Sequence, residues 1–341
     1  MPRPRPPTPK VREAAPLIAQ VFARLADGKF HSGEELARDL KVSRSAVWKA
    51  TGALRELGTT LHAVRNRGYR LAHPAEPLDE KKIRARLEGA VRERMRAIET
   101  AWSLASTNSV LLARPNPPAG SGEVLLAEYQ SSGRGRRGRR WLAPPGGAIC
   151  LSLSWTFSEV PPELGALGLV IGVCVLRALK DLKVDGVQLK WPNDLLVRGK
   201  KLGGVLIELR AESTGPACVV IGIGLNVALG AELLNEIAAT GTAPTDLNNS
   251  GLSGTTRNEV VAAVLSACVK GLAEFEREAL MPFLADWREA DALHGQAVNV
   301  TGGQGVSQGV AAGIDMHGAL LIETPEGVQR FLSGDVSVRR A

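Results

Sequence analysis

Three arginines stand between three glycines in Gly133-Arg-Gly-Arg-Arg-Gly138, with Arg139 and Arg140 directly after. Guanidinium forks suit the paired oxygens of phosphates and carboxylates, and glycine lets backbone N–H groups approach the same oxygens. The run also matches G-x-G-x-x-G, a dinucleotide fingerprint that has meaning only between a strand and a helix of one βαβ unit. Val124 to Tyr129 can be that strand. Trp141-Leu-Ala-Pro-Pro-Gly-Gly147 cannot open the helix, because two prolines and two glycines break it. Bulky cations also replace the small residues with which a Rossmann loop approaches pyrophosphate. Alone, the run reads first as a solvated basic loop or a nucleic-acid patch.

Four further segments carry side chains that could do chemistry: Ser106-Thr-Asn108, Glu128-Tyr-Gln130, Lys190-Trp-Pro-Asn-Asp194 with Lys201-Leu-Gly-Gly204, and Gly222-Ile-Gly-Leu-Asn226. Asp194 supplies a carboxylate, which alone reads as the Asx-turn residue after Pro192. Lys190 is either a phosphate contact or a strand-end surface charge. The hydroxyls of Ser106 and Thr107 and the amide of Gln130 are neutral hydrogen-bonding groups. Asn108, last of its triplet, is read as a helix-capping residue. Gly204, Gly222 and Gly224 let backbone lie against a ligand, or are small residues of a plain strand. Trp141 is read as a core or loop anchor before a stacking platform.

The elements that must hold these segments fall into three groups. At 341 residues, two or three domains are expected, and 44% hydrophobic content supplies ample core. Residues 1–11 (MPRPRPPTPKV) form a Pro/Arg-rich tail that cannot pack. In residues 12–76, Leu17, Ile18, Val21, Phe22 and Leu25 recur at helical spacing. Ser32 and Glu35 fit a capping box. Lys41-Val42 is a tight turn, and Ser43 caps a third helix carrying Val47, Trp48, Leu54 and Leu57 and stopped at Gly58. Leu61 to Leu71 is a basic hairpin around Arg65-Asn-Arg-Gly68, so the group is a winged helix-turn-helix. Its DNA-binding residues would be Ser43, Arg44, Ser45 and Lys49 on the third helix, with Arg65 and Arg67 on the wing.

His73-Pro-Ala-Glu-Pro77 is a linker. Residues 77–291 mix helices and strands without βαβ alternation, giving a mixed α/β sheet, with a long apolar helix over Glu163 to Leu182 and another capped by Thr256 and Glu259. In residues 292–341 five short alternating segments describe a small β-barrel. The whole is an α+β multidomain chain. Net charge of +7 permits a polyanionic partner. Four cysteines, scattered through apolar surroundings, are expected to be buried free thiols of a reducing cytosol. No apolar run reaches transmembrane length and no signal-peptide core is present, so a cytoplasmic location without membrane contact is expected.

Taken in this order and separation, the five motifs resemble the biotin protein ligases, and with the helix-turn-helix the chain resembles the bifunctional subgroup that also acts as biotin operon repressor. The resemblance runs from about residue 16 to the C-terminus. It implies a class II synthetase-like catalytic domain, a C-terminal SH3-like barrel, and ATP and biotin as substrates with Mg²⁺. Biotin would contact Ser106, Thr107, Gln130, Gly133, Arg134, Arg136, Lys201, Gly204 and Gly222. ATP and the adenylate would contact Arg136, Arg137, Arg139, Trp141, Lys190, Asn193, Asp194, Asn226 and Arg339. Lys201, Arg136 and Arg134 would be catalytic and Asp194 would hold the metal. The partners implied are the biotin carboxyl carrier protein of acetyl-CoA carboxylase, operator DNA and, with adenylate bound, a second copy of the chain. The glycine-rich loop is expected to order over ligand. Arg339 is either a phosphate contact or a surface charge. Residues 229–253, where the family wraps adenine, offer no stacking residue.

Overall fold

A computed structural model describes residues 16–210, 216–239, 243–302, 305–333 and 337–340, so the N-terminal tail lies outside the described residues. Helices α1 (Leu17–Leu25), α2 (Gly33–Leu40) and α3 (Arg44–Glu56) pack on one another beside the hairpin of β1 (Leu61–Val64) and β2 (Gly68–Leu71). The apolar stripes of α1, α2 and α3 meet through Phe22, Leu25, Leu36, Val47 and Leu54. Ser32 accepts from the N–H of Glu35 at 3.0 Å and Ser43 from that of Ala46 at 3.2 Å, capping α2 and α3 as their sequences predict. Lys41, with φ of 55°, makes the tight turn between them. Trp48 is 67% exposed, because it lies about 100° round the helix from Val47 and outside the Val47–Ala50–Leu54 stripe.

Beyond α4 (Glu80–Arg86) and α5 (Gly89–Arg94) comes a seven-stranded sheet. It comprises β3 (Met95–Leu104), β4 (Gly122–Gln130), β5 (Ala148–Thr156), β6 (Val187–Lys190), β7 (Asp194–Val197), β8 (Lys200–Arg210) and β9 (Cys218–Asn226), ordered β3-β4-β5-β9-β8-β7-β6. Of its described pairs β3–β4 is parallel, bridged by α6 (Thr107–Leu112), and the others are antiparallel, so the sheet is mixed and not doubly wound. Alternation along the strands separates two faces. Val124, Leu126, Val219 and Ile221 pack with α7 (Leu167–Asp181) in the main core, whereas Leu125 and Val220 pack under α6. The α6 face holds Ser152 of β5, Gly204 and Glu208 of β8, and Gly222 and Gly224 of β9.

The long apolar helix expected over Glu163 to Leu182 begins with a 3-10 turn and becomes α7, buried along most of its length. A short α8 (Ala231–Ala239) precedes α9 (Arg257–Glu278), whose capping box of Thr256 and Glu259 is formed in full, and α10 (Leu284–Glu289) follows. Strands β10 (Ala297–Gly302), β11 (Gly305–Ile314), β12 (Leu320–Thr324), β13 (Gly327–Phe331) and β14 (Ser337–Arg340) pair antiparallel in the order β13-β12-β11-β10-β14. Among the described residues no ladder joins β13 to β14, so the SH3-like barrel is open at that seam. The four cysteines are buried free thiols, and burial pushes Cys150 up to about 12.

The first three helices are docked on the sheet domain. Phe22 meets Trp102 at a ring-centroid distance of 5.6 Å, and the Thr59 hydroxyl donates to the Pro145 carbonyl at 3.2 Å. The linker is clamped from both sides. Ala75 N–H donates to Ala26 O at 2.9 Å, and Leu78 N–H donates to Glu128 at 2.8 Å. Glu128 is itself paired with Arg257, whose guanidinium also reaches Glu76 O at 2.8 Å.

Candidate active site

A cavity of about 240 Å³ opens on the α6 face of the sheet, and all five motifs reach it. The glycines of β9 are there for a steric reason that includes the protein's own side chains. A Cβ on Gly222 would stand 2.6 Å from Asn108 Oδ1, and one on Gly224 would stand 2.6 Å from the Trp141 ring. Trp141 is half-buried and forms a wall of the cavity.

One part of the cavity is lined by a buried polar network. Ser106 is the N-cap of α6, accepting from Ser109 N–H at 3.4 Å. Asn108, read from sequence as the capping residue, is instead buried, because the sheet order brings β8 across it. Its Nδ2 donates to Glu208 Oε2 at 2.7 Å and its Oδ1 faces Ser152 Oγ. Thr107 donates through its N–H to Gln130 Oε1 at 2.7 Å, with its hydroxyl 3.1 Å from the same atom. Ser152 Oγ lies 2.6 Å from the Thr107 hydroxyl.

Hydrogen counting fixes the direction of this network. A carboxylate only accepts, so Glu208 holds the Asn108 amide N–H towards itself and the carbonyl towards Ser152. Ser152 must then donate its one hydroxyl hydrogen to Asn108. The 2.6 Å contact then needs the Thr107 hydroxyl to donate to Ser152, and the Thr107 oxygen keeps a lone pair for a ligand N–H. Ser152 and Glu208 were not among the residues singled out from sequence. Their signal is the period of two that puts them on the same face as Gly222 and Gly204.

The arginine loop has a defined path. Arg134 and Arg140 form a β-bridge, Gly135 N–H donates to Arg139 O at 2.7 Å, and Trp141 N–H donates to Gly133 O at 2.9 Å. Between them Arg136–Gly138 is a 3-10 turn with Arg137 at φ 57°. Strand β5, not a helix, follows the Pro/Gly segment, as the rejection of a Rossmann loop requires. Arg134 donates to Ser109 Oγ at 2.8 Å and to Glu208 Oε1 at 3.2 Å. Arg136 reaches Asn193 Oδ1 at 3.4 Å, while Arg137 and Arg139 are exposed at the cavity rim.

Elsewhere in the cavity lining, Lys201 Nζ pairs with Asp194 Oδ1 at 2.5 Å, from facing strands β8 and β7. Burial lowers the pKa of the Lys190 ammonium; Asp194 opposes the shift, and Lys201, Arg339 and Arg139 add to it. Arg339 reaches the cavity from the exposed edge of β14. Asn193 Nδ2 donates to Val205 O at 2.8 Å, and Asn226 Nδ2 to Thr245 O at 2.9 Å, so both amides also fix the backbone of the site. In residues 229–253 the cavity receives Ile237 and Pro244, an apolar wall without an aromatic ring among the described residues. That segment is pinned by buried Asp246, which accepts from Leu229 N–H at 3.0 Å and Asn249 N–H at 2.8 Å. No described cluster of three metal-binding side chains exists, and Asp194 is the one carboxylate among the described cavity lining.

On the opposite module Arg44, Ser45, Lys49, Arg65 and Arg67 are exposed, and Arg67 stacks over Phe30 at 4.2 Å. Ser43 is exposed too, but its hydroxyl is engaged as the cap of α3.

A cation-rich cavity with one carboxylate, built on a mixed sheet and joined to a winged helix-turn-helix, defines an anion-binding α/β domain coupled to a DNA-binding type of module. Family models narrow this class. Residues 102–226 match the biotin/lipoate A/B protein ligase family, 293–339 the biotin protein ligase C-terminal domain and 18–70 a helix-turn-helix domain. The bifunctional ligase/repressor BirA of Escherichia coli K12 is 35% identical over 322 residues, covering 94% of this chain and 97% of that protein. The biotin–[acetyl-CoA-carboxylase] ligase of Mycobacterium tuberculosis is 36% identical over 267 residues, covering 76% and 95%. The Aquifex aeolicus biotin protein ligase, solved in complex with biotin and ATP, superposes with a TM-score of 0.60 at 31% identity, covering 72% and 100%. The chain belongs to the biotin protein ligase family, in its bifunctional ligase/repressor group.

Proposed function

We propose that this chain activates biotin with ATP and transfers it to a lysine of a carrier protein, and that the same chain represses transcription through its helix-turn-helix. The biotin carboxylate attacks the α-phosphate, releasing pyrophosphate and leaving biotinyl-5′-AMP. The carrier amine then attacks the activated carbonyl, forming an amide and releasing AMP. The observation that carries this reading is the convergence, in one cavity, of a neutral hydrogen-bonding end with a cationic end.

The ureido ring of biotin has N–H donors and a carbonyl acceptor, which suits Ser106, Thr107 and Gln130. Its carboxylate would lie between Lys201, Arg134 and Arg136, with Gly133, Gly204 and Gly222 giving backbone approach. Arg137, Arg139, Lys190 and Arg339 would face the phosphates, and Trp141, Asn193 and Asn226 would frame the nucleotide. These cations oppose the repulsion between two anions, and each well-placed donor can contribute roughly 3–4 kcal/mol to the transition state. A single carboxylate fits Mg²⁺ that arrives on a triphosphate, because such a metal needs only one or two protein ligands. Asp194 would hold it, and the metal would neutralise phosphate charge. Closure of the arginine loop would exclude water from the adenylate.

The acceptor we propose is the carboxyl carrier protein of acetyl-CoA carboxylase, and the location is the cytoplasm; no described helix is long and apolar enough to cross a membrane. Adenylate would favour a homodimer that presents two α3 helices to a two-fold operator. We assign DNA binding to residues 12–76, catalysis to 77–291 and the barrel to 292–341. Incubation with ATP, biotin and a carrier domain, read with streptavidin, should give a biotinylated lysine. A biotin sensor without ligase activity would give none, and a lipoate ligase would modify only with lipoate.

A further inference from the structure

Two features of α3 have no use inside the fold. Trp48 leaves 67% of its surface exposed, the largest exposed side chain of the helix-turn-helix group. One turn later stands Gly52, a mid-helix glycine where alanine would be the more stable choice. A Cβ at Gly52 would meet nothing within 4 Å, so no neighbour in the described chain requires glycine there. Residues four apart share a helix face, so Arg44, Trp48 and Gly52 lie in one row with Lys49 beside it. The Thr51 hydroxyl donates to the backbone carbonyl of Trp48 at 2.9 Å.

The surroundings select the occupant. Arg44 and Lys49 are exposed on this helix, the wing arginines Arg65 and Arg67 are exposed on the same module, and the helix has no acidic residue until Glu56. Such a surface takes a polyanion. Phosphate contacts fix position without reading sequence, and an indole cannot pair with phosphate as arginine does. In the major groove the apolar feature that projects from a base pair is the C5-methyl group of thymine. Given the reading of α3 as a recognition helix, on which this step rests, we infer that Trp48 reads thymine methyl groups and that Gly52 leaves the clearance for the helix to approach them.

The test uses the full-length protein with biotin and ATP. Duplexes are selected from a randomised pool, and affinities for the selected duplex are measured at fixed salt by anisotropy. Each thymine is then replaced singly by deoxyuridine, which lacks only the methyl group. Wild type should lose about fourfold at one or two positions, the value of one buried methyl. Trp48→Ala should bind thymine and deoxyuridine duplexes equally while keeping the salt slope set by its cations. Trp48→Phe should retain part of the discrimination. Gly52→Ala should raise the melting temperature and yet weaken binding to the selected duplex. Discrimination that survives in Trp48→Ala, deoxyuridine that is neutral at every position, or unaltered binding by Gly52→Ala would overturn the inference. A wild-type protein that selects no sequence would instead overturn the recognition-helix reading beneath it.

Discussion

Lys190 sits in a conflict between stability and binding. Its ammonium pKa is lowered from the ordinary 10.5 by burial, against the pull of Asp194. Between the lowered value and 10.5 the unfolded chain binds more protons, so this group's contribution to stability rises with pH across that window. At neutral pH the buried charge is therefore destabilising. Lys190→Met should raise the melting temperature at pH 7, with a smaller gain above pH 10.5. It should also weaken ATP binding about 10- to 100-fold, the range of a lost charged hydrogen bond. Calorimetry that finds ATP affinity unaltered would make Lys190 a strand-end charge. Glu208 acts at one remove from the ligand. Glu208→Gln lets the Asn108 amide turn over, which removes the fixed donor direction that leaves the Thr107 oxygen open. Biotin affinity should fall on the order of tenfold, with a smaller effect on ATP affinity, since about 1.4 kcal/mol is the scale of one neutral hydrogen bond. Equal biotin binding by the variant and wild type would remove Glu208 from this role.

At the scale of elements, Glu128 of β4 and Arg257 of α9 tie the sheet, the linker and the Pro/Gly loop together. Their side chains are 7% and 3% exposed, and the two terminal guanidinium nitrogens, Nη1 and Nη2, each reach the carboxylate at 2.8 Å. Glu128 also accepts from Leu78 N–H and, at 3.3 Å, from Gly146 N–H. Removing one partner of such a buried pair leaves an uncompensated charge, so Glu128→Ala should destabilise by about 3–5 kcal/mol in denaturant titration. A loss under 1 kcal/mol would mean that water reaches Arg257. This pair shows the limit of sequence reading, because its members are 129 positions apart and neither carries a local pattern. Local patterns were legible: the caps at Ser32, Ser43 and Thr256 mark helix starts, and period-two alternation marks the C-terminal strands. The motif residues that converge on the cavity could also be named, since their types are chemically particular. One position misled: Asn108 sits in a capping triplet, and only the sheet order buries it beneath Glu208. The exposure of Trp48 was not legible from its type, because its angular position on α3 faces outwards.

Across the whole molecule, the segment from Gly133 to Gly147 has one end in the cavity and the other against the helix-turn-helix. Trp141 walls the cavity beside Gly224, where a Cβ has no room. A few residues on, Pro144 abuts Gly58, the Pro145 carbonyl accepts from Thr59 at 3.2 Å, and Gly146 lies against Phe22 and Ala75. The carbonyl of Gly147 accepts from Val227 N–H at 2.8 Å, directly after Asn226 of β9. Any shift of the arginine loop would have a short, packed route to the DNA-binding module, and the Thr59 hydrogen bond is that module's one side-chain hydrogen bond to the segment among the described contacts. We predict that Thr59→Val, close in shape but without the hydroxyl, lowers stability by about 1 kcal/mol and leaves biotin and ATP affinities within about twofold. Its effect should fall on coupling, with the ligand-induced gain in operator affinity dropping several-fold. Linkage demands that the DNA-induced gain in adenylate affinity drop by the same factor, so the two titrations check each other. A ligand-induced gain equal to that of wild type would show that this contact holds the modules together without transmitting the state of the site.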